Sequence, residues 1–169
     1  MRTTDDELRR SRLVFYAQDV GRLDGELDGF LEFSGARCAI LIDRDGHLVT
    51  RRGDAAGSSM EALSALVAGS FAATGEVARL LGEDAFSTLS HQGAHQSIQV
   101  STVGDRTLLA VVWDQRSNLG LVRFYAKETT RRLEQVFDEI ATRPRRASAE
   151  ESISDDYGDE AAAALDELF

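Results

Sequence analysis

The segment from Met60 to Leu81 constrains the fold most, because it reads as one long helix with Ser58 or Ser59 available as an N-cap and Gly82 as its stop. On a wheel at about 100° per residue, Leu63, Leu66, Val67, Phe71, Val77 and Leu81 gather on one side, which is expected to face a core. The other side carries Glu61, Ala65, Ala68, Gly69, Ala72, Gly75, Glu76 and Arg79, small residues flanked by charge where a solvated face would usually carry Lys and Glu. Alanine propensity alone can produce such a stripe. Gly69 and Gly75 go further: each costs roughly 1 kcal/mol relative to Ala inside a helix, and each suits close backbone approach. The same helix of a second subunit, a separate protein, or both together would satisfy the pattern.

Strands and two further helices surround this segment. Asp19 precedes Val20, Leu23, Leu27, Phe30 and Leu31 at helical spacing, with Gly35 beyond them. Arg37 to Asp43 reads as a buried strand, Arg44-Asp45-Gly46 as a turn, and His47 to Arg51 as the returning strand; Gly53 to Gly57 is read as loop. Ala85 to His91, Ser97 to Val103 and Thr107 to Trp113 form a meander punctuated by Gly93 and Gly104-Asp105. Ser117 or Asn118 can cap a last helix whose inner face is Leu119, Val122, Ala126, Thr129, Leu133, Val136, Phe137 and Ile140. The order αββαβββα predicts an α+β fold, a five-stranded antiparallel sheet with helices on its faces. Its exposed edges favour a homodimer that continues the sheet.

Composition narrows the partners. The 169-residue chain has a net charge of −10, which argues against nucleic acid and anionic membrane as partners and in favour of protein. No apolar run approaches the roughly 18 residues of a membrane span, and Met1 to Arg12 is charged, so a cytoplasmic location without membrane insertion is expected. The single cysteine, Cys38, sits in an apolar run and is expected to be buried and reduced.

Catalytic signatures are missing. No G-x-x-x-x-G-K-[ST] segment is present to cradle nucleotide phosphates. His91 and His95 flank a turn without a clear carboxylate or thiol companion, so no metal is expected there. Asp43-Arg-Asp-Gly46 starts like a calcium loop, but the later ligands are missing and a hairpin turn explains it. Trp113-Asp114 reads as core and turn, and Arg131-Arg132 and Arg143-Pro-Arg-Arg146 as a solvated helix face and a linker. Ser87, Ser90 and Ser97 lack the G-x-S-x-G context of a nucleophile. No catalytic residue and no cofactor are expected.

Between Pro144 and Phe169 eight acidic residues face two arginines, Arg145 and Arg146, the composition of a solvated linker. Asp159 can cap a short closing helix in which Ala161, Leu165, Leu168 and Phe169 share a face, too short to persist without a groove to receive it. The expected organisation is a flexible 1–12, a folded domain over 13–142, and an acidic linker with a short amphipathic helix over 143–169.

The element order, the central Leu63-Ser-Ala-Leu-Val-Ala-Gly-Ser-Phe-Ala-Ala73 and its closing Leu80-Leu-Gly-Glu83 resemble the Roadblock family, which is related to dynein light chains and profilin-like in fold. Ile40-Leu-Ile-Asp-Arg-Asp-Gly46, His91-Gln-Gly93, Asp114-Gln-Arg-Ser-Asn-Leu-Gly-Leu-Val-Arg123, Ile153-Ser-Asp-Asp156 and Leu165-Asp-Glu-Leu-Phe169 resemble its MglB-type branch of bacterial polarity proteins. The resemblance runs from Leu13 to Phe169. It implies a homodimer whose paired second helices receive one GTP-bound, Ras-family GTPase of the MglA type and accelerate its hydrolysis without donating an arginine finger. Carried over by position, the contact floor is Ala65, Ala68, Gly69, Ala72, Gly75, Glu76 and Arg79, with Glu76 a departure from relatives that have a small residue there. Leu165, Leu168 and Phe169 become a second partner contact. The resemblance further implies a role in cell polarity or motility, with location at a cell pole; the alternative is a Roadblock scaffold that binds its partner without stimulating hydrolysis.

Overall fold

The structure, a computed structural model, describes residues 15–54 and 59–144. The expected flexible N-terminus, the acidic linker from residue 145 onward and the closing helix with Leu165, Leu168 and Phe169 lie outside the described residues.

The elements run α1 (Ala17–Ser34), β1 (Cys38–Asp43), β2 (Leu48–Gly53), α2 (Met60–Leu81), β3 (Thr88–Gln92), β4 (Ser97–Val103), β5 (Thr107–Trp113) and α3 (Leu119–Thr142). The five strands form one antiparallel sheet in the order β2-β1-β5-β4-β3. The α+β order expected from the sequence is therefore the observed one.

The central strands β1 and β5 read as continuous apolar runs because both of their faces are covered. Ala39, Leu41, Leu109 and Val111 pack under α1 and α3, among Leu23, Leu27, Phe30, Val122, Leu133 and Phe137. Cys38, Ile40, Ile42, Leu108, Ala110 and Val112 point the other way, toward Met60, Val67, Ala68 and Phe71 of α2. The sheet thus separates a two-helix layer from a layer made by α2 alone.

Local chemistry sets the boundaries. Asn118 caps α3, its Oδ1 accepting the Leu121 N–H at 3.0 Å. Gly35 ends α1 in the left-handed region at φ +68°, its N–H bonded to Leu31 O. The first hairpin turn reaches one residue further than expected, because the His47 N–H is held by Asp43 Oδ1 at 2.8 Å. Strand β2 then continues through Gly53, where the sequence predicts a loop. Gly53 lies opposite Cys38 at φ +81°, and a Cβ there would stand 2.1 Å from Arg37 O, so only glycine allows this approach. Strand β3 begins at Thr88 rather than Ala85, although Ser87 O already accepts the Thr102 N–H at 3.1 Å.

An ion pair closes the two-helix layer. Asp19 is fully buried; it accepts the Tyr16 N–H at 3.0 Å and two bonds from the Arg143 guanidinium at 2.7 and 3.0 Å. The Arg143 hydrogen bonds, helped by the Tyr16 N–H, hold its carboxyl below the usual carboxylate range against the opposing effect of burial. Arg143, expected from the sequence to belong to a linker, is here a structural residue that also lies 5.7 Å from the Tyr16 ring centroid.

Candidate functional site

Helix α2 starts at Ser59, whose Oγ accepts the Ala62 N–H at 3.3 Å, and stops at Gly82 in the left-handed region. Its inner side is Met60, Ser64, Val67, Ala68, Phe71 and Ala78. This corrects the wheel in two ways. Leu66, Val77 and Leu81, expected in the core, are 72%, 48% and 70% exposed. Ala68, expected on the small-residue face, is only 6% exposed and packs with Val67 and Phe71 against the sheet. The physical reason lies in the single-layer packing: with no neighbouring helix beside it among the described residues, α2 buries a narrow strip that touches the sheet. Ser64, Ala68 and Ala78 are small enough to occupy that strip.

The other six residues of the carried-over floor, Ala65, Gly69, Ala72, Gly75, Glu76 and Arg79, are exposed on this one helix. They do not all have the same origin. Ala65 is already used within the chain, since a Cβ on Gly46 of the first hairpin turn would stand 3.0 Å from its Cα. Gly69 and Gly75 are different: a Cβ on either would meet nothing within 4 Å, so no contact among the described residues demands glycine. Glu76 and Arg79 bond each other at 2.9 Å in an exposed i,i+3 pair, a geometry worth little to stability. Leu80, 77% exposed, joins Leu66, Val77 and Leu81 in making the outer face of α2 more apolar than the wheel implied. The signal was present in the adjacent Leu80-Leu81, whose side chains differ by about 100° around the helix and cannot both meet the narrow buried strip.

Elsewhere the chemical candidates resolve into structure. Cys38 is fully buried, and burial pushes its thiol up, away from the reactive thiolate. His91 and His95 are exposed, on β3 and in the turn that follows. Asp43, Asp45 and His47 have ligand atoms within 4.8 Å of one another, but the hairpin turn accounts for them through the His47–Asp43 hydrogen bonds and the Gly46 N–H to Asp43 O bond. Trp113 is core, and Asp114 is held below the usual carboxylate range chiefly by hydrogen bonds from the Arg116 side chain. Arg131 and Arg132 form exposed ion pairs with Glu128, and Arg132 also with Glu26. No described helix is long and apolar enough to cross a membrane.

A five-stranded antiparallel sheet with two described helices on one face and one on the other is a profilin-like α+β architecture. The profile of the Roadblock/LC7 domain matches residues 23–113, and the chain belongs to that family. Within it the chain is similar to bacterial MglB. The Myxococcus xanthus MglB structure is 30% identical, with a TM-score of 0.70, over 80% of this chain and 100% of that one. The gliding protein MglB of Thermus thermophilus is 34% identical over 75% of this chain and 96% of its own, also at 0.70. An MglB structure with a tetrameric arrangement is 33% identical over 76% and 96%, at 0.71. No curated protein sequence matches the chain.

Proposed function

We propose that this chain regulates a Ras-like GTPase of the MglA type, accelerating GTP hydrolysis by contact and contributing no chemistry of its own. The observation that carries the reading is the exposed surface of α2, which presents Gly69 and Gly75, glycines that no contact among the described residues requires, and on another side of the helix Leu66, Val77, Leu80 and Leu81. Exposed apolar side chains and positions open to close approach on one helix suit a protein surface better than a substrate. The similarity to MglB supplies the class of partner and the role in polarity or motility, with action at a cell pole.

A homodimer completes the proposed floor. Of the two sheet edges, β2 carries Arg51 and Arg52 and an irregular register after Leu41, features that discourage further pairing. Strand β3, Thr-Leu-Ser-His-Gln, has no such protection. Pairing through β3 continues the sheet and brings two copies of α2 to one side, so that Ala65, Gly69, Ala72, Gly75, Glu76 and Arg79 of both protomers receive one GTPase. Its own switch residues are held in the hydrolytic arrangement, a matter of positioning rather than of added catalytic groups. Leu165, Leu168 and Phe169 form a second contact.

The test is GTP hydrolysis by the MglA-like GTPase of the same genome, alone, with the full chain, and with a chain ending at Arg143, which keeps the Asp19 pair. Acceleration by both chains assigns activation to α2 and leaves the C-terminal residues a modulatory part; acceleration by the full chain alone makes them essential. Ala72→Arg is expected to abolish the effect while leaving the fold intact. Binding without acceleration would replace this reading with that of a scaffold.

A further inference from the structure

The sheet face under α3 changes character toward β3. Along β4 the alternation sends Ile98 and Val100 toward α2 and Gln99 and Ser101 toward α3. The register sets Thr88 opposite Ser101 and Ser90 opposite Gln99, which places both on that same face. At equivalent depth on β1 and β5 the residues are Ala39, Leu41, Leu109 and Val111. Four polar residues therefore lie where the rest of this layer is apolar.

From above, Arg123, Lys127, Thr130 and Glu134 descend one stripe of α3, and the groove between helix and strands encloses about 500 Å³. Gln99 is only 3% exposed; its Nε2 donates to Ser101 Oγ at 3.2 Å, leaving Oε1 without a partner. Thr130 Oγ1 and Ser90 Oγ are buried and unpartnered as well. Arg123 and Lys127 have no carboxylate within ion-pair distance among the described residues, whereas Arg131 and Arg132 of the same helix do. Glu134, at the far end, has Oε1 engaged by the Gly104 N–H at 3.0 Å.

Buried polar atoms in native folds are nearly always satisfied, so an unpartnered amide oxygen beside two unpaired cations in an open groove marks a place suited to a polar ligand. We propose that this groove binds a small phosphate ester carrying hydroxyl groups, its oxyanion between Arg123 and Lys127 and a hydroxyl donating to Gln99 Oε1. A neutral polyol would leave the cations open, and inorganic phosphate lacks the carbon-borne hydroxyls that reach beyond the oxyanion. The site is on the opposite side of the sheet from α2, and it borders β3, the edge through which the proposed homodimer pairs.

The probe is glycerol 3-phosphate, titrated into the full chain with amide-resolved NMR, alongside inorganic phosphate and glycerol. Saturable shifts at Gln99, Ser101 and Thr130 are expected, with glycerol 3-phosphate binding about tenfold or more tightly than phosphate, since its hydroxyls add hydrogen bonds to the buried polar groups beyond the oxyanion. Arg123→Ala and Lys127→Ala, both at exposed helix positions, are each expected to weaken it by about tenfold through loss of a charge-assisted hydrogen bond. Gln99→Leu should bring glycerol 3-phosphate down to the level of phosphate. No saturable binding at millimolar concentration, equal binding of phosphate to the unaltered chain, or shifts that survive both cation substitutions would overturn the proposal.

Discussion

The two faces of the sheet solve the same problem differently. On one, α1 and α3 lie against each other and against the strands, and α3 buries a wide stripe of Val122, Ala126, Thr129, Leu133, Val136, Phe137 and Ile140. On the other, α2 is the one described helix; it packs on the sheet and the first hairpin turn, buries a narrow strip that includes Ser64, Ala68 and Ala78, and turns leucines outward. A helix with neighbours on two sides spends most of its large side chains on the core, although Leu121 and Phe124 of α3 stay exposed. A helix packed on one side leaves more of them exposed, as Leu66, Val77, Leu80 and Leu81 show.

The largest expected effect tests that contrast directly. Leu133→Ala, at a fully buried position of α3, is expected to cost about 2–5 kcal/mol in denaturant unfolding, the range for a leucine removed from a packed core. Leu80→Ala, on the outer side of α2, is expected to change stability by no more than about 0.5 kcal/mol. A Leu80 loss that grows on dilution would break the contrast by placing that residue in the subunit contact.

Two glycines sharpen it further. Gly53→Ala should destabilise by about 1–3 kcal/mol from its positive φ alone, with the approach to Arg37 O adding to this. The ion pair of the two-helix layer comes next: Asp19→Asn should lower the midpoint of thermal unfolding by about 5 °C near neutral pH. Because Asp19 titrates below its unfolded value, its contribution is full above the unfolded carboxylate range and is lost as pH falls through the lowered native pKa. Acid unfolding curves of the variant should therefore be flatter in that range than those of the parent chain. The smallest effect has the opposite sign. Gly69→Ala, in open space on α2, should stabilise the isolated protein by about 0.4–1 kcal/mol while weakening GTPase activation, if close approach is what the glycine serves.

The order of elements was legible because each is announced locally: Asn118 before α3, Gly35 and Gly82 after α1 and α2, Gly104 between β4 and β5. The inner face of α3 was legible because its apolar stripe is all used. The face of α2 departs from the wheel for the converse reason: a wheel assumes that large apolar residues point inward, and Leu66, Val77 and Leu81 do not. Gly53 carried no sign that its strand extended so far, since the close approach to Arg37 is visible only once β1 and β2 are paired. Nor did the alternation in β4 distinguish a solvated face from a polar groove, because the difference lies in what α3 sets opposite Gln99.

The bond between Asp19 and Arg143 spans 124 positions, and this has a consequence for the order of events during synthesis. The carboxylate leaves the ribosome early, while its guanidinium partner emerges only after α3 is complete. In the interval Leu23, Leu27 and Phe30 also lack the surface that will cover them, because α3 is the last described element to be made. Contacts of such separation come late and leave apolar surface open in the meantime. The first described helix therefore waits longest for its place, and its exposure before then is the interval in which the nascent chain needs protection.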